Sequence, residues 1–201
     1  MDNKEILERI ERLEEILNPH IDFVRIRDVK MPSRATSNDA GTDWFIPNYS
    51  ETFIDDLNKK NVGRKFDITT FAQYSDKTGK DEYSFEITLH PHERILIPSG
   101  LKVNIHNKWS YLKVDNKSGV ANTYGLIFGA DIIDADYRGE AHISLINTSD
   151  SYVKLSSGQK IIQVIHSLKL DTKWNEITQQ EFDALPSTQR GEGGFGHSGT
   201  K

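Results

Sequence analysis

Short segments in which apolar and polar residues alternate recur along this chain, and they limit its fold more than any other feature. Val24 and Ile26 alternate with Arg25 and Arg27, Leu101, Val103 and Ile105 with Lys102 and Asn104, and Ile143 and Leu145 with His142 and Ser144. Residues two apart share one face of a strand, so each segment offers one face to a core and the other to water. Pro98-Ser99-Gly100 and Ser156-Ser157-Gly158 supply turns. The pattern predicts an all-β sandwich or barrel, and 201 residues are enough for one core.

Other segments depart from this pattern. Residues 4 to 17 (KEILERIERLEEIL) place Ile6, Ile10, Leu13 and Leu17 at alternating four and three spacing, which predicts an amphipathic helix stopped by Asn18-Pro19. Its narrow stripe suits packing on the domain or a short coiled coil with copies of itself. Residues 48 to 84 are polar and poorly periodic and are read as an insertion, with Phe53, Ile54, Leu57, Phe66, Phe71 and Tyr74 to pack on the body. The Gly-rich end, QRGEGGFGHSGTK, cannot fold alone and is expected to be a mobile tail. The expected organisation is an N-terminal helix over 1–20, a β domain over 21–188 containing the 48–84 insertion, and a flexible tail over 189–201.

Several function classes drop out. A net charge of -5 argues against a protein that coats nucleic acid. The absence of cysteine removes disulfides, thiolate metal sites and cysteine nucleophiles. With no apolar leader and no run near ~18 apolar residues, a soluble cytoplasmic protein without a membrane partner is expected. The seven histidines show no HExxH and no paired ligand spacing, so a histidine metal site is not expected. There is no GxSxG to make Ser118 a nucleophile, and RGEGGFG lacks the GK[ST] ending of a P-loop.

Three clusters carry chemistry. DIIDADYRGE (131–140) packs three aspartates, a tyrosine, an arginine and a glutamate into ten residues. An acidic turn alone is usually a solvated hairpin. Asp134, however, follows two isoleucines at the edge of an apolar strand, where a carboxylate is costly without a task. DNKSGVA (115–121) sets a cation, a hydroxyl and a glycine side by side, suited to a phosphate oxygen or to a plain turn. The glycines of RGEGGFG let backbone N–H groups approach an anion, or make a simple tail.

Five segments occur together and in order: DAGTDW (39–44), NKSGVA (116–121), GADIIDADYRGE (129–140), GQKIIQ (158–163) and RGEGGFGHSG (190–199). This set resembles the five motifs of the trimeric dUTPase family over nearly the whole chain outside residues 1–20 and 48–84. The resemblance implies a jelly-roll-like β domain, assembled as a homotrimer whose active sites are shared by all three subunits. It implies hydrolysis of dUTP to dUMP and pyrophosphate, which lowers dUTP and supplies dUMP for dTMP synthesis. The implied cofactor is Mg²⁺ held mainly by the triphosphate.

The resemblance also implies roles. Asp134 is the base that activates water for attack on the α-phosphorus, and Tyr137 packs under the deoxyribose, where a 2′-hydroxyl would clash. Asp43 holds the metal through water. Lys117, Ser118, Gly119 and Gln163 bind phosphate oxygens, and Asp131 and His142 stand at the hairpin that reads uracil. In the tail, Arg190 reaches the γ-phosphate, Phe195 covers the base, and Gly196, His197 and Ser198 complete the contacts. Lys117 stands where most members have arginine, which keeps the charge but loses the bidentate fork. His197 replaces a small hydroxyl residue, and Asp131 and His142 replace frequent glycines. Strand alternation is expected to turn Asp131 and His142 away from the base. Two rival readings remain at this point: a pyrophosphatase for another pyrimidine dNTP such as dCTP, and a module of this fold with an added interaction role. A dCTP deaminase of the same fold would need a glutamate ten residues after Asp134, where Ser144 stands.

Overall fold

A computed structural model describes residues 2–193 and divides the chain into two compact units, Met1–Leu170 and Asp171–Lys201. The first unit opens with helix α1 (Asn3–Leu17), whose N-cap Asp2 accepts from Glu5 N at 2.8 Å. The predicted stripe of Ile6, Ile10, Leu13 and Leu17 is left 37–74% exposed. The helix is held near its C-terminal end instead, where the Arg12 guanidinium lies 3.8 Å from the Trp109 ring centre and Asn107 Nδ2 donates to Glu15 O at 3.2 Å.

The body is built from β1 (Ile21–Arg25), β2 (Thr42–Phe45), α2 (Glu51–Lys60), β3 (Phe66–Ser75), β4 (Lys80–Leu89), β5 (Arg94–Pro98) and β6 (Leu101–Ile105). It continues with β7 (Ser110–Asn116), α3 (Ser118–Tyr124), β8 (Leu126–Phe128), β9 (Ile132–Asp134), β10 (His142–Asn147), β11 (Val153–Ser156) and β12 (Lys160–Leu168). Four open sheets result, ordered β1-β6, β5-β10-β8, β11-β4-β3 and β2-β12-β7-β9. The all-β expectation holds, and no closed barrel forms among the described residues. The alternation delivers its faces in two of the three segments: Leu101, Val103 and Ile105 are buried while Lys102 is exposed, and Ile143 and Leu145 are buried between half-buried neighbours, whereas Val24 and Ile26 are exposed and Arg27 is the residue drawn inward, by its ion pair with Glu140. No described helix is long and apolar enough to cross a membrane. The second unit carries one short helix, α4 (Gln179–Asp183), closed by a capping box between Thr178 and Glu181.

Residues 48–84 turn out to be ordered into α2 and a long hairpin. Ser50 caps α2 by accepting from Phe53 N at 3.2 Å, and Phe53 and Leu57 are fully buried. Strands β3 and β4 pair from Phe66↔Leu89 to Ser75↔Lys80. The base of β4 (Phe85, Ile87, Leu89) enters the core, while residues 69–74 are exposed throughout, so Phe71 and Tyr74 do not pack on the body as their apolar character predicts. A ribbon exposed on both faces needs no apolar alternation, which is why its sequence carries little period.

One ion cluster ties three of these parts together. Arg27 donates from Nε to Glu140 Oε1 at 2.8 Å and from Nη2 to Glu140 Oε2 at 2.9 Å and Asp56 Oδ2 at 2.8 Å. Gly100 N donates to Glu140 Oε1 at 2.8 Å. Burial raises the Glu140 carboxyl, but the bonds from Arg27 and Gly100 outweigh it and hold it below the usual range. With side chains only 11% and 12% exposed, Arg27 and Glu140 are costly to separate. Replacing Arg27 with methionine is expected to lower stability by about 3 kcal/mol, read as a shifted urea midpoint with unchanged slope. Because the folded carboxyl is depressed, its contribution is full above the ordinary glutamate range and is lost as pH falls through the folded value. The gap between the parent and Arg27→Met should therefore narrow in acid.

Candidate active site

The sheet β2-β12-β7-β9 brings two predicted residues, Asp43 and Gln163, onto one rung and starts a third motif beside it. Gln163 on β12 pairs with Asp43 on β2 and with Asp115 on β7, so Asp43 and Gln163 sit directly across from one another. Asn116 ends β7, and Lys117, Ser118 and Gly119 follow as the start of α3. Gln163 Nε2 donates to Asn116 O at 2.9 Å, which fixes the amide. Gly41 is needed here because a Cβ would stand 2.7 Å from Gln163 Oε1 and 3.0 Å from Gln163 Cβ. Gly119 faces open space.

Asp43 is buried, with 6% of its surface exposed. Its Oδ1 accepts from Lys117 Nζ in a short ion pair and its Oδ2 from Lys160 Nζ at 2.8 Å. Burial raises this carboxyl, and the two lysines more than reverse the effect, leaving it below the usual aspartate range. Lys160 lies inside the fourth motif but was not singled out by sequence reasoning. A register shift between Lys160 and Ile162 marks a bulge, a feature that re-aims side chains. The only advance signal was a lysine beside the strand's buried pair.

Asp134 stands elsewhere on the same sheet. It pairs with Tyr111, four residues along β7 from Asp115, a separation of roughly 13 Å at the rise of a strand. Its side chain is exposed at the end of β9, after buried Ile133. The turn that follows is closed by Tyr137 N donating to Asp134 O at 3.2 Å and by Arg138 Nη1 donating to Ala135 O at 2.6 Å. The Tyr137 hydroxyl donates to Glu140 O at 3.0 Å, and the phenol lies where a side chain on Gly139 would have to go. Through Glu140 this platform is fastened to Arg27, a support that no motif displayed.

Asp131 and His142 are both half-buried, and Asp131 O accepts from Val114 N at 2.7 Å. His142 Nε2 is buried and has no hydrogen-bond partner among the described residues. His142 pairs with Pro98 on β5, beyond the end of the β8–β10 pairing. Gly129 N donates to Ser144 O at 2.9 Å, and a Cβ on Gly129 would meet Ser144 Oγ at 2.8 Å. In the second unit, Arg190 Nε donates to Gly193 O at 2.7 Å within a tight turn. Phe195, Gly196, His197 and Ser198 lie outside the described residues.

Gly41→Ala is expected to push Gln163 off Asn116 O, because the added methyl meets the fixed part of that side chain as well as its tip. Overpacking of this kind costs about 1–3 kcal/mol. A thermal melt of the variant equal to that of the parent would show that the rung tolerates the methyl.

The sequence profile of the dUTPase family matches residues 72–199. The deoxyuridine 5′-triphosphate nucleotidohydrolase of Shewanella baltica strain OS155 is 34% identical over 145 residues, 70% of this chain and 91% of that protein. The corresponding enzyme of Finegoldia magna is 37% identical over 116 residues, 57% of this chain and 77% of its own length. Among solved structures, the dUTPase of Staphylococcus bacteriophage 80alpha with dUPNHPP superposes with a TM-score of 0.61 at 17% identity, covering 90% of this chain and 98% of that one. The likeness in structure concerns the fold, and the likeness in sequence decides the family. On both the profile match and the curated relatives, the chain belongs to the dUTPase family.

Proposed function

We propose that this protein is a dUTP diphosphatase, which hydrolyses dUTP to dUMP and pyrophosphate. The observation that carries the reading is the gathering of Asp43, Lys117, Lys160 and Gln163 at one end of the central sheet with Asp134 exposed on the same sheet. Two ammonium groups, an anchored amide and an open glycine suit a triphosphate. An exposed carboxylate at a strand end suits a base.

In the proposed reaction the Asp134 carboxylate takes a proton from water, and the water oxygen bonds to the α-phosphorus. The bond from that phosphorus to the α–β bridging oxygen breaks, and pyrophosphate leaves. Tyr137, pinned by its hydroxyl to Glu140 O, gives the deoxyribose a flat floor that a 2′-hydroxyl would strike. Arg190 and Phe195 act from the tail on the γ-phosphate and the base, with Gly196, His197 and Ser198 beside them. His142 offers a buried ring nitrogen that lacks a partner among the described residues, and Asp131 stands at the same hairpin, so both are kept as groups near the base.

The donor chemistry fits a hydrated Mg²⁺ that arrives on the triphosphate, since Asp134 and Asp136 present exposed carboxylates and Mg²⁺ prefers oxygen and retained water. When bound, the ion neutralises phosphate charge. Asp43 would meet such a hydrated ion only after releasing one of its lysines. A triphosphate attracts both lysines, so substrate binding frees the oxygens that the free enzyme keeps occupied.

The site is proposed to be completed in a homotrimer. Asp43 on β2 and Asp134 on β9 stand at opposite edges of the sheet, and their rungs are offset by roughly 13 Å along β7, too far for one triphosphate to span, so Asp134 serves a neighbour's rung. Mixed trimers test this directly. Asp134→Asn and Gln163→Ala chains should each be weak alone, and refolding them together should regain activity; a mixture no better than its parts would mean self-contained sites. Asp134→Asn should bind nucleotide but turn over roughly 10²- to 10⁴-fold more slowly. Pyrophosphate release from dUTP, dCTP, dTTP and UTP decides the substrate. A preference for dUTP over dCTP of at least ~100-fold in kcat/KM is expected. Equal values would favour the rival in which Asp131 accepts from the cytosine amine.

A further inference from the structure

The strongest feature outside the candidate site lies on the two-stranded sheet β1-β6. These strands pair antiparallel with Ile21↔Ile105 and Asp22↔Asn104 in register, and His106 N donates to His20 O at 3.3 Å just beyond them. His20 is therefore opposite His106 and Asp22 opposite Asn104, and the period of two puts all four on one face. The other face carries Ile21, Val103 and Ile105, which pack into the core. The three residues His20, Asp22 and His106 are exposed.

Both imidazoles aim the same nitrogen at one carboxylate. His20 Nε2 lies 2.9 Å from Asp22 Oδ1, and His106 Nε2 lies 2.6 Å from Asp22 Oδ2. One ligand atom from each of the three residues falls within 4.8 Å of the other two. Metal–nitrogen and metal–oxygen bonds of ~2.0–2.2 Å place tetrahedral donors about 3.4 Å apart, so the side chains need only small rotations to close on an ion. Asn104 Nδ2 donates to Asp22 Oδ2 at 3.3 Å, the kind of outer contact that orients a ligating carboxylate. The cations nearby are Lys102, on the same face of β6, and Arg138, which lines the hollow beside Asp22.

We propose that His20, Asp22 and His106 form a binding site for a divalent transition-metal ion of the Zn²⁺ class, with its remaining position open to water. Two imidazole nitrogens and one carboxylate suit Zn²⁺, Co²⁺ or Ni²⁺ and do not suit Mg²⁺, which demands oxygen. The site is separate from the proposed dUTP chemistry. It also has a mechanical consequence, because His20 follows the end of α1 by three residues and His106 precedes Asn107, which holds Glu15 of that helix. An ion there would staple the helix junction to β6.

The test uses the full chain without a polyhistidine tag, stripped with chelator and titrated with ZnCl₂ by calorimetry. One ion per chain at micromolar concentration, on the order of 10⁻⁶ M, and a rise in melting temperature on adding the ion are expected. Adding MgCl₂ in excess should not displace it. His20→Ala and His106→Ala should each abolish this binding step, whereas His92→Ala, at a different histidine–aspartate pair, should keep it. CoCl₂ gives a second readout that does not depend on stability: a low-coordinate site yields strong visible absorption, and this should vanish in Asp22→Ala. Zinc binding in the His20→Ala/His106→Ala double variant equal to the parent's, or no saturable binding by the parent at 100-fold higher zinc, about 10⁻⁴ M, would overturn the proposal.

Discussion

Strand register is the constraint on which the rest of this molecule depends. A shift of one residue between β12 and β2 would move Gln163 away from Asp43 and send every buried side chain of β12 to the opposite face. The register is held by the core: Trp44, Val114, Ile161, Ile162 and Val164 are all buried on these strands. Burying one such side chain contributes about 1.5–3 kcal/mol, far more than a hydrogen bond on the rung, so the apolar face decides where the polar residues stand. The site inherits its geometry from packing that takes no part in chemistry.

Asp43 illustrates what that inheritance costs. A carboxylate 6% exposed would be expensive alone, and it persists because two lysines from separate elements meet it. The same lysines would repel each other without it. In the proposed enzyme this makes Asp43 a holder of positive charge before substrate arrives, which lessens the reorganisation needed to receive a triphosphate. The Arg27–Glu140 pair plays a comparable part for Tyr137, since the carbonyl that receives the phenol belongs to a residue whose carboxylate is itself fixed.

Much of this was legible in the sequence, for reasons that can be named. The β class followed from alternation at 101–105 and 142–145, because a half-buried strand writes its two faces into the chain. The motif residues were legible from their ordered resemblance to a family. The exposed arms of β3 and β4 left no period to read, and α2 offered little beyond Phe53 and Leu57. Lys160, Arg27 and Glu140 act through partners up to 117 residues away, and such pairings have no local signature. His20 and His106 escaped for the same reason, since cross-strand pairing and not spacing brings them together.

The distance between Asp134 and the Asp43 rung has a further consequence for how such a site is kept rigid. Within one chain the two ends are linked by β7, a strand with neighbours on both sides where β9 and β12 flank it, so they cannot approach each other by hinge motion without breaking the sheet. On the proposed reading, the reacting groups are brought together by docking one domain against another and not by bending the β domain. Docking places preformed halves in contact, and each half is already fastened, one by Lys117 and Lys160, the other by Arg27 through Glu140. In the proposed trimer most of the positioning that catalysis requires therefore precedes substrate, and what substrate adds is the transfer of the two lysines from Asp43 to the triphosphate.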